Sequence, residues 1–89
     1  MIERRAIVTD RFGLHARAAA RLVHLANSFQ SKITLRRADN RRSVDAKSIF
    51  GVLMLAATKG TALVVSATGQ DESAAVDAIA QMIEGTAGG

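Results

Sequence analysis

Apolar residues along this chain recur with two different periods, and the switches between those periods mark out its elements. From Arg4 to Thr9 they alternate, with Ala6 and Val8 on one side and Arg5, Ile7 and Thr9 on the other. That period of two predicts a half-buried strand. From Ala16 to about Phe29 the spacing lengthens: Ala19, Leu22, Val23, Ala26 and Phe29 form one stripe, and Arg17, Arg21, His24 and Ser28 fall largely off it. This predicts an amphipathic helix that weakens at Asn27 and Ser28. Alternation returns from Ser31 to Arg37 around Ile33 and Leu35, and Asp39-Asn40 then supplies a turn before a short strand, Ser43 to Asp45, centred on Val44. Those two strands are expected to pair antiparallel.

Helical spacing resumes between Ser48 and Ala56, through Ile49, Val52, Leu53 and Ala56, with Ser48 as N-cap and Lys59-Gly60 as the stop. Leu63, Val65 and Ala67 mark a last strand, and Gly69-Gln70-Asp71-Glu72 opens a last helix buried through Ala75, Ile79, Met82 and Ile83. The order is β-α-β-β-α-β-α. Each strand has a single apolar face, so the fold expected is α+β, a sheet with helices on one side and solvent on the other. No linker or repeat interrupts the chain, and residues 1–89 are expected to form one domain whose last residues, from Gly85 to Gly89, fray.

Composition narrows the chemistry. With 89 residues, 48% of them apolar, there is enough core for independent folding and no room for a large multi-part active site. The chain lacks cysteine, which removes disulfides and thiol catalysis, and two histidines with eight acids offer poor material for a metal centre. Met1-Ile2-Glu3-Arg4-Arg5 leads into no apolar run, so neither signal peptide nor membrane span is expected, and the cytoplasm is the expected location. A net charge of +4 admits nucleic acid, membrane surfaces or acidic proteins as partners. Arg36, Arg37, Arg41 and Arg42 read as solvated charge flanking a hairpin turn. The only aromatics, Phe12, Phe29 and Phe50, lie outside the predicted strands, which disfavours single-strand RNA binding.

The candidate chemistry lies in Gly13-Leu14-His15-Ala16-Arg17-Ala18-Ala19. A helix starting at Ala16 presents unpaired N–H groups and the positive end of its dipole to whatever His15 carries. Arg17 adds a mobile charge able to bind phosphate oxygens, and Gly13 can adopt the positive φ that such an entry requires. Taken alone, an H-x-R triplet is more often a solvated surface pair. His24 lies nine residues from His15, on the opposite helix face, so the two cannot share a metal. Asp10, just after the first strand, reads more readily as an ordinary strand-end acid than as a group that orients the loop before His15.

With the further segments Ala46-Lys47-Ser48-Ile49-Phe50-Gly51, Lys59-Gly60-Thr61 and Ser66-Ala67-Thr68-Gly69-Gln70-Asp71-Glu72, nearly the whole chain resembles one family. It is that of the histidine-containing phosphocarrier proteins (HPr) of the bacterial phosphoenolpyruvate-dependent phosphotransferase system. The resemblance implies an open-faced β-sandwich of four antiparallel strands with three helices on one face. It implies that His15 accepts a phosphoryl group on Nδ1 from phosphorylated enzyme I and passes it to a histidine of an enzyme IIA protein, in sugar uptake or linked regulation. Such a protein is a covalent relay, not an enzyme, and needs no metal or organic cofactor. The backbone of Ala16 and Arg17 and the Arg17 guanidinium would hold the phosphate and favour a neutral, nucleophilic imidazole.

The family usually has proline where this chain has Ala18, which removes some rigidity from the first turn and leaves a good helix former. Lys47-Ser48-Ile49 resembles the segment modified by an HPr serine kinase/phosphorylase in regulated members, so Ser48 is a candidate regulatory site as well as an N-cap. Ile49, Phe50 and Leu53, rimmed by Arg21 and Lys47, are expected to dock acidic partner surfaces. The alternative is a signalling module switched by phosphate at Ser48. A small basic shuttle is expected to be a monomer without nucleic-acid or membrane partners.

Overall fold

The computed structural model describes residues 1–85; of the tail expected to fray from Gly85 to Gly89, residues 86–89 lie outside the described residues, and the Gly85 N–H donates to the Met82 carbonyl at 3.1 Å. Its elements are β1 (Ile2–Ile7), α1 (Ala16–Asn27), β2 (Lys32–Arg37), β3 (Ser43–Asp45), α2 (Ile49–Met54), β4 (Ala62–Thr68) and α3 (Glu72–Ile83). The strands form one four-stranded sheet in the order β1-β4-β2-β3. Every pairing is antiparallel: Ile7 faces Ala62, Leu35 faces Val65 on one side, and Val44 faces Leu35 on the other.

This register puts Ala6, Ile33, Leu35, Leu63, Val65 and Ala67 on the covered face, where all are buried. Leu22 and Ala26 of α1, Val52 of α2 and Val76 and Ile79 of α3 complete the core. Residues one step out of phase, such as Arg5, Thr34, Val64 and Ser66, share the open face. The sandwich open on one face is therefore the observed architecture, as the alternation predicts.

The boundaries shift for identifiable reasons. β1 begins at Ile2 rather than Arg4 because β4 is long enough to pair Ile2 with Ala67, and Val8 continues the ladder in both directions through Thr61 and Gly60. α1 ends at Asn27 rather than Phe29: the Asn27 amide donates to the Val23 carbonyl at 2.8 Å, and the Ser28 hydroxyl to the Leu25 carbonyl at 2.6 Å. Both side chains take over carbonyls near the helix end.

α2 does not run on to Lys59-Gly60. It stops where Ala56 turns left-handed (φ 51°). The arginines read as solvated explain this stop: the Arg37 guanidinium is half-buried, grips Asp39 with two nitrogens, and donates to the carbonyls of Leu55 (2.7 Å) and Ala56 (3.2 Å). Arg42 reaches the Met54 carbonyl at 3.4 Å. Positive charge thus satisfies the orphan carbonyls at the end of α2, and the hairpin turn doubles as its C-terminal clamp.

The start of α3 is tied to the end of α1. The Asp71 carboxylate accepts from the backbone N–H groups of Gln30 and Ser31, each at 2.9 Å, and from the Ser31 hydroxyl. These donors, the hydroxyl first, hold its carboxyl below the usual 3.8. A folded-state value below the unfolded one means that the contribution is fully present above the ordinary carboxylate value and disappears as pH falls through the lowered one. Asp71→Asn is expected to lower the melting temperature at about pH 7, and its deficit relative to wild type should shrink on acidification below about pH 4. Thermal unfolding across that range checks it; a deficit that stayed constant with pH would contradict the assignment.

Candidate functional site

His15 owes its position to the loop before it. Gly13 has φ 67°, which lets the chain turn beneath the sheet end. The Leu14 N–H then donates to the Ala57 carbonyl at 2.9 Å. These two contacts fix the entry to α1, and His15 occupies its N-cap with extended backbone angles (φ −71°, ψ 177°). The His15 carbonyl accepts the first helical bond, from Ala19 at 2.8 Å.

No side chain caps the helix, and no acid lies in its first turn. Among the described residues the N–H groups of Ala16, Arg17 and Ala18 have no partner, which leaves an anion-binding helix end beside the imidazole.

The imidazole opens onto a cavity of about 530 Å³, with its side chain 35% exposed. Arg17 and Arg21, one helical turn apart, line the same cavity over a floor that includes Leu14, Leu22 and Ile83. Among the described residues neither guanidinium has an ion pair or hydrogen bond, so both can swing towards an incoming anion. Two further side chains touch His15. The Phe12 ring meets it edge to face, with centroids 6.1 Å apart, and Asp10 Oδ2 lies 3.4 Å from Nε2. Asp10 is therefore more than a strand-end acid. Its carboxyl is held below the usual 3.8, first by the Phe12 N–H and then by His15.

The remaining predicted residues lie elsewhere. Ser48 caps α2, its hydroxyl accepting from the Gly51 N–H at 3.2 Å. The Lys47 ammonium donates to the Phe29 carbonyl at 2.8 Å, so it ties the loop after α1 instead of standing as a free rim cation. Ile49 is half-buried against the core. Phe50 (76% exposed), Leu53 (37%) and Met54 (58%) make an uncovered apolar face on α2, which packs against α1. His24 is exposed and does not line the cavity. Among the described residues no group of three or more His, Cys, Asp or Glu could hold a metal, and no helix is long and apolar enough to cross a membrane. Phe12 was legible only as an aromatic outside the strands, and Asp10 as a strand-end acid or an orienting group for the loop; the turn that folds both back onto His15 is closed within residues 10–13.

Comparison with known proteins shows the family and the fold. Residues 2–85 match the family described as PTS HPr component phosphorylation site. The phosphocarrier protein HPr of Xylella fastidiosa is 46% identical over 94% of this chain and 92% of its own length. The phosphocarrier protein NPr of Proteus mirabilis is 41% identical over 91% of this chain and 89% of its own length. Among solved structures, an HPr from Thermoanaerobacter tengcongensis superimposes with a TM-score of 0.90 at 36% identity, covering 100% of this chain and 98% of that one. An HPr dimer from the same organism aligns with a TM-score of 0.74.

Proposed function

The chain belongs to the HPr family of phosphotransferase-system phosphocarriers, and we propose that His15 is its phosphoryl acceptor, charged by enzyme I and discharged to a histidine of an enzyme IIA protein. The observation that carries this reading is the imidazole at an uncapped helix N-terminus, with the free guanidiniums of Arg17 and Arg21 on one shared cavity. The Nδ1 lone pair attacks phosphorus in line, the N–P bond of the donor phosphohistidine breaks, and the bonding pair returns to the donor nitrogen. The N–H groups of Ala16 and Arg17 and the Arg17 guanidinium then carry the phosphate charge. A site open to solvent holds that charge loosely enough for it to be passed on.

Phe50, Leu53 and the flank of Ile49 form the docking patch, with Arg21 speeding encounter with acidic partners. Lys47 supports the patch by fixing the loop behind it. The protein works as a cytoplasmic monomer, a single domain that partners meet one at a time.

The test is incubation with phosphoenolpyruvate and enzyme I, read by intact mass and acid lability. Wild type should gain one acid-labile phosphate, and His15→Ala should show none above background. No phosphate on wild type beside a carrier that enzyme I does charge would overturn the reading. An acid-stable phosphate mapped to Ser48 in the native cell, without the labile one, would favour the signalling module instead.

A further inference from the structure

We propose that Asp10 is a positioning residue for the transfer: it holds the Nε2 proton of His15 and so leaves Nδ1 as the nucleophile. The inference rests on His15 being the phosphoryl acceptor.

A neutral imidazole carries one proton, and only the bare nitrogen can attack phosphorus. The two nitrogens compete for that role unless a neighbour favours one tautomer. Here Asp10 Oδ2 lies 3.4 Å from Nε2, a separation that a small turn of the ring closes into a hydrogen bond. The carboxylate is itself fixed. Asp10 Oδ1 accepts from the Phe12 N–H at 2.8 Å, and the Asp10 carbonyl accepts from the Gly13 N–H at 2.9 Å, so the acid sits in a closed turn. Phe12, which that turn folds back, meets the imidazole edge to face and limits its rotation.

The same contact serves the chemistry. Attack by a neutral ring places positive charge on the imidazole while Nε2 keeps its proton, and a carboxylate facing Nε2 balances that charge as the new N–P bond forms. When the phosphate leaves, the charge disappears and the pair returns to its starting state. The arrangement is that of an acid orienting a catalytic histidine, with phosphorus in place of a serine proton.

Asp10→Asn separates positioning from folding. Asparagine keeps Oδ1 for the Phe12 N–H, so the turn survives, yet presents an NH₂ to Nε2 and so favours the tautomer protonated at Nδ1. Wild type at alkaline pH should show the Nε2–H tautomer by long-range ¹H–¹⁵N correlation. Asp10→Asn should shift the ring towards Nδ1–H and slow phosphorylation by enzyme I by about 10- to 100-fold, less than in a buried triad because this site is wet. Asp10→Ala, which loses the turn as well, should melt lower than Asp10→Asn.

An unchanged tautomer in Asp10→Asn overturns the inference, whatever the rate does, since a rate loss alone assigns Asp10 to the loop. A labile phosphate on wild-type His15 in that case still upholds the carrier reading. Failure of wild type to take phosphate, with the tautomer shift intact, would sink the carrier role and leave the pairing standing.

Discussion

Gly13→Ala is expected to destabilise the protein by about 3 kcal/mol and to disorganise the site at the same time. A Cβ on Gly13 would lie 2.3 Å from the Ala57 carbonyl oxygen and 2.9 Å from Thr58 Cα, both backbone atoms with no rotamer to yield. Left-handed backbone (φ 67°) adds about 1–2 kcal/mol for a residue with a side chain. Relief requires moving the segment away from Ala57, which breaks the Leu14–Ala57 hydrogen bond, worth about 1 kcal/mol. For a domain of this size the melting temperature should fall by about 12–24 °C. The His15 cap hangs from that bond, so phosphorylation should also slow at temperatures where the variant is still folded. Gly60→Ala is the control: φ is 91° there, but nothing lies within 4 Å of the added carbon. It should cost only the backbone term, about 1 kcal/mol. Equal losses at the two positions would show that the Ala57 clash plays no part.

Periodicity made the fold legible because a sheet covered on one side imposes a period of two on every strand. Ile33 and Leu35, or Leu63, Val65 and Ala67, could not exchange faces without exposing the core. The N-cap at Ser48 was equally readable, since serine before an apolar helical run has a local partner three residues on, here Gly51. His15 and Arg17 stood out for a related reason: one element, the start of α1, places both.

The tertiary use of charge was not legible. Arg37 alternates in phase with Ile33 and Leu35, so its side chain starts on the covered side of the sheet and turns to the carbonyls of Leu55 and Ala56. Alternation separates it from Arg36, which is on the open face, but nothing local shows which carbonyls its guanidinium will reach. Lys47 and Asp71 behave alike, each finding backbone partners at the end of α1, far along the chain. Long polar side chains choose partners after the core has set the distances, so only their residue types are visible beforehand.

That division, with apolar alternation setting the fold and polar loops setting the site, predicts that core stability and carrier chemistry can be separated. Leu35→Ala should remove about 3 kcal/mol, the cost of a buried leucine lost with little collapse around it. Leu35 is fully buried on β2, paired with Val65 on one side and Val44 on the other, and has no room to relax along the sheet. Its neighbour Thr34 projects to the open face between Ser66 and Asp45, so Thr34→Ala should change stability by less than about 0.5 kcal/mol. Urea denaturation would measure both, with unchanged m-values if each variant remains two-state. At about 10 °C, where Leu35→Ala retains most of its folded population, its rate of phosphorylation by enzyme I should match wild type, because the anchors of His15 are the loop at Gly13 and Ala57 and not this strand. A slowed transfer in the fully folded variant would mean that strain from the sheet reaches the start of α1, and that the loop alone does not hold the imidazole.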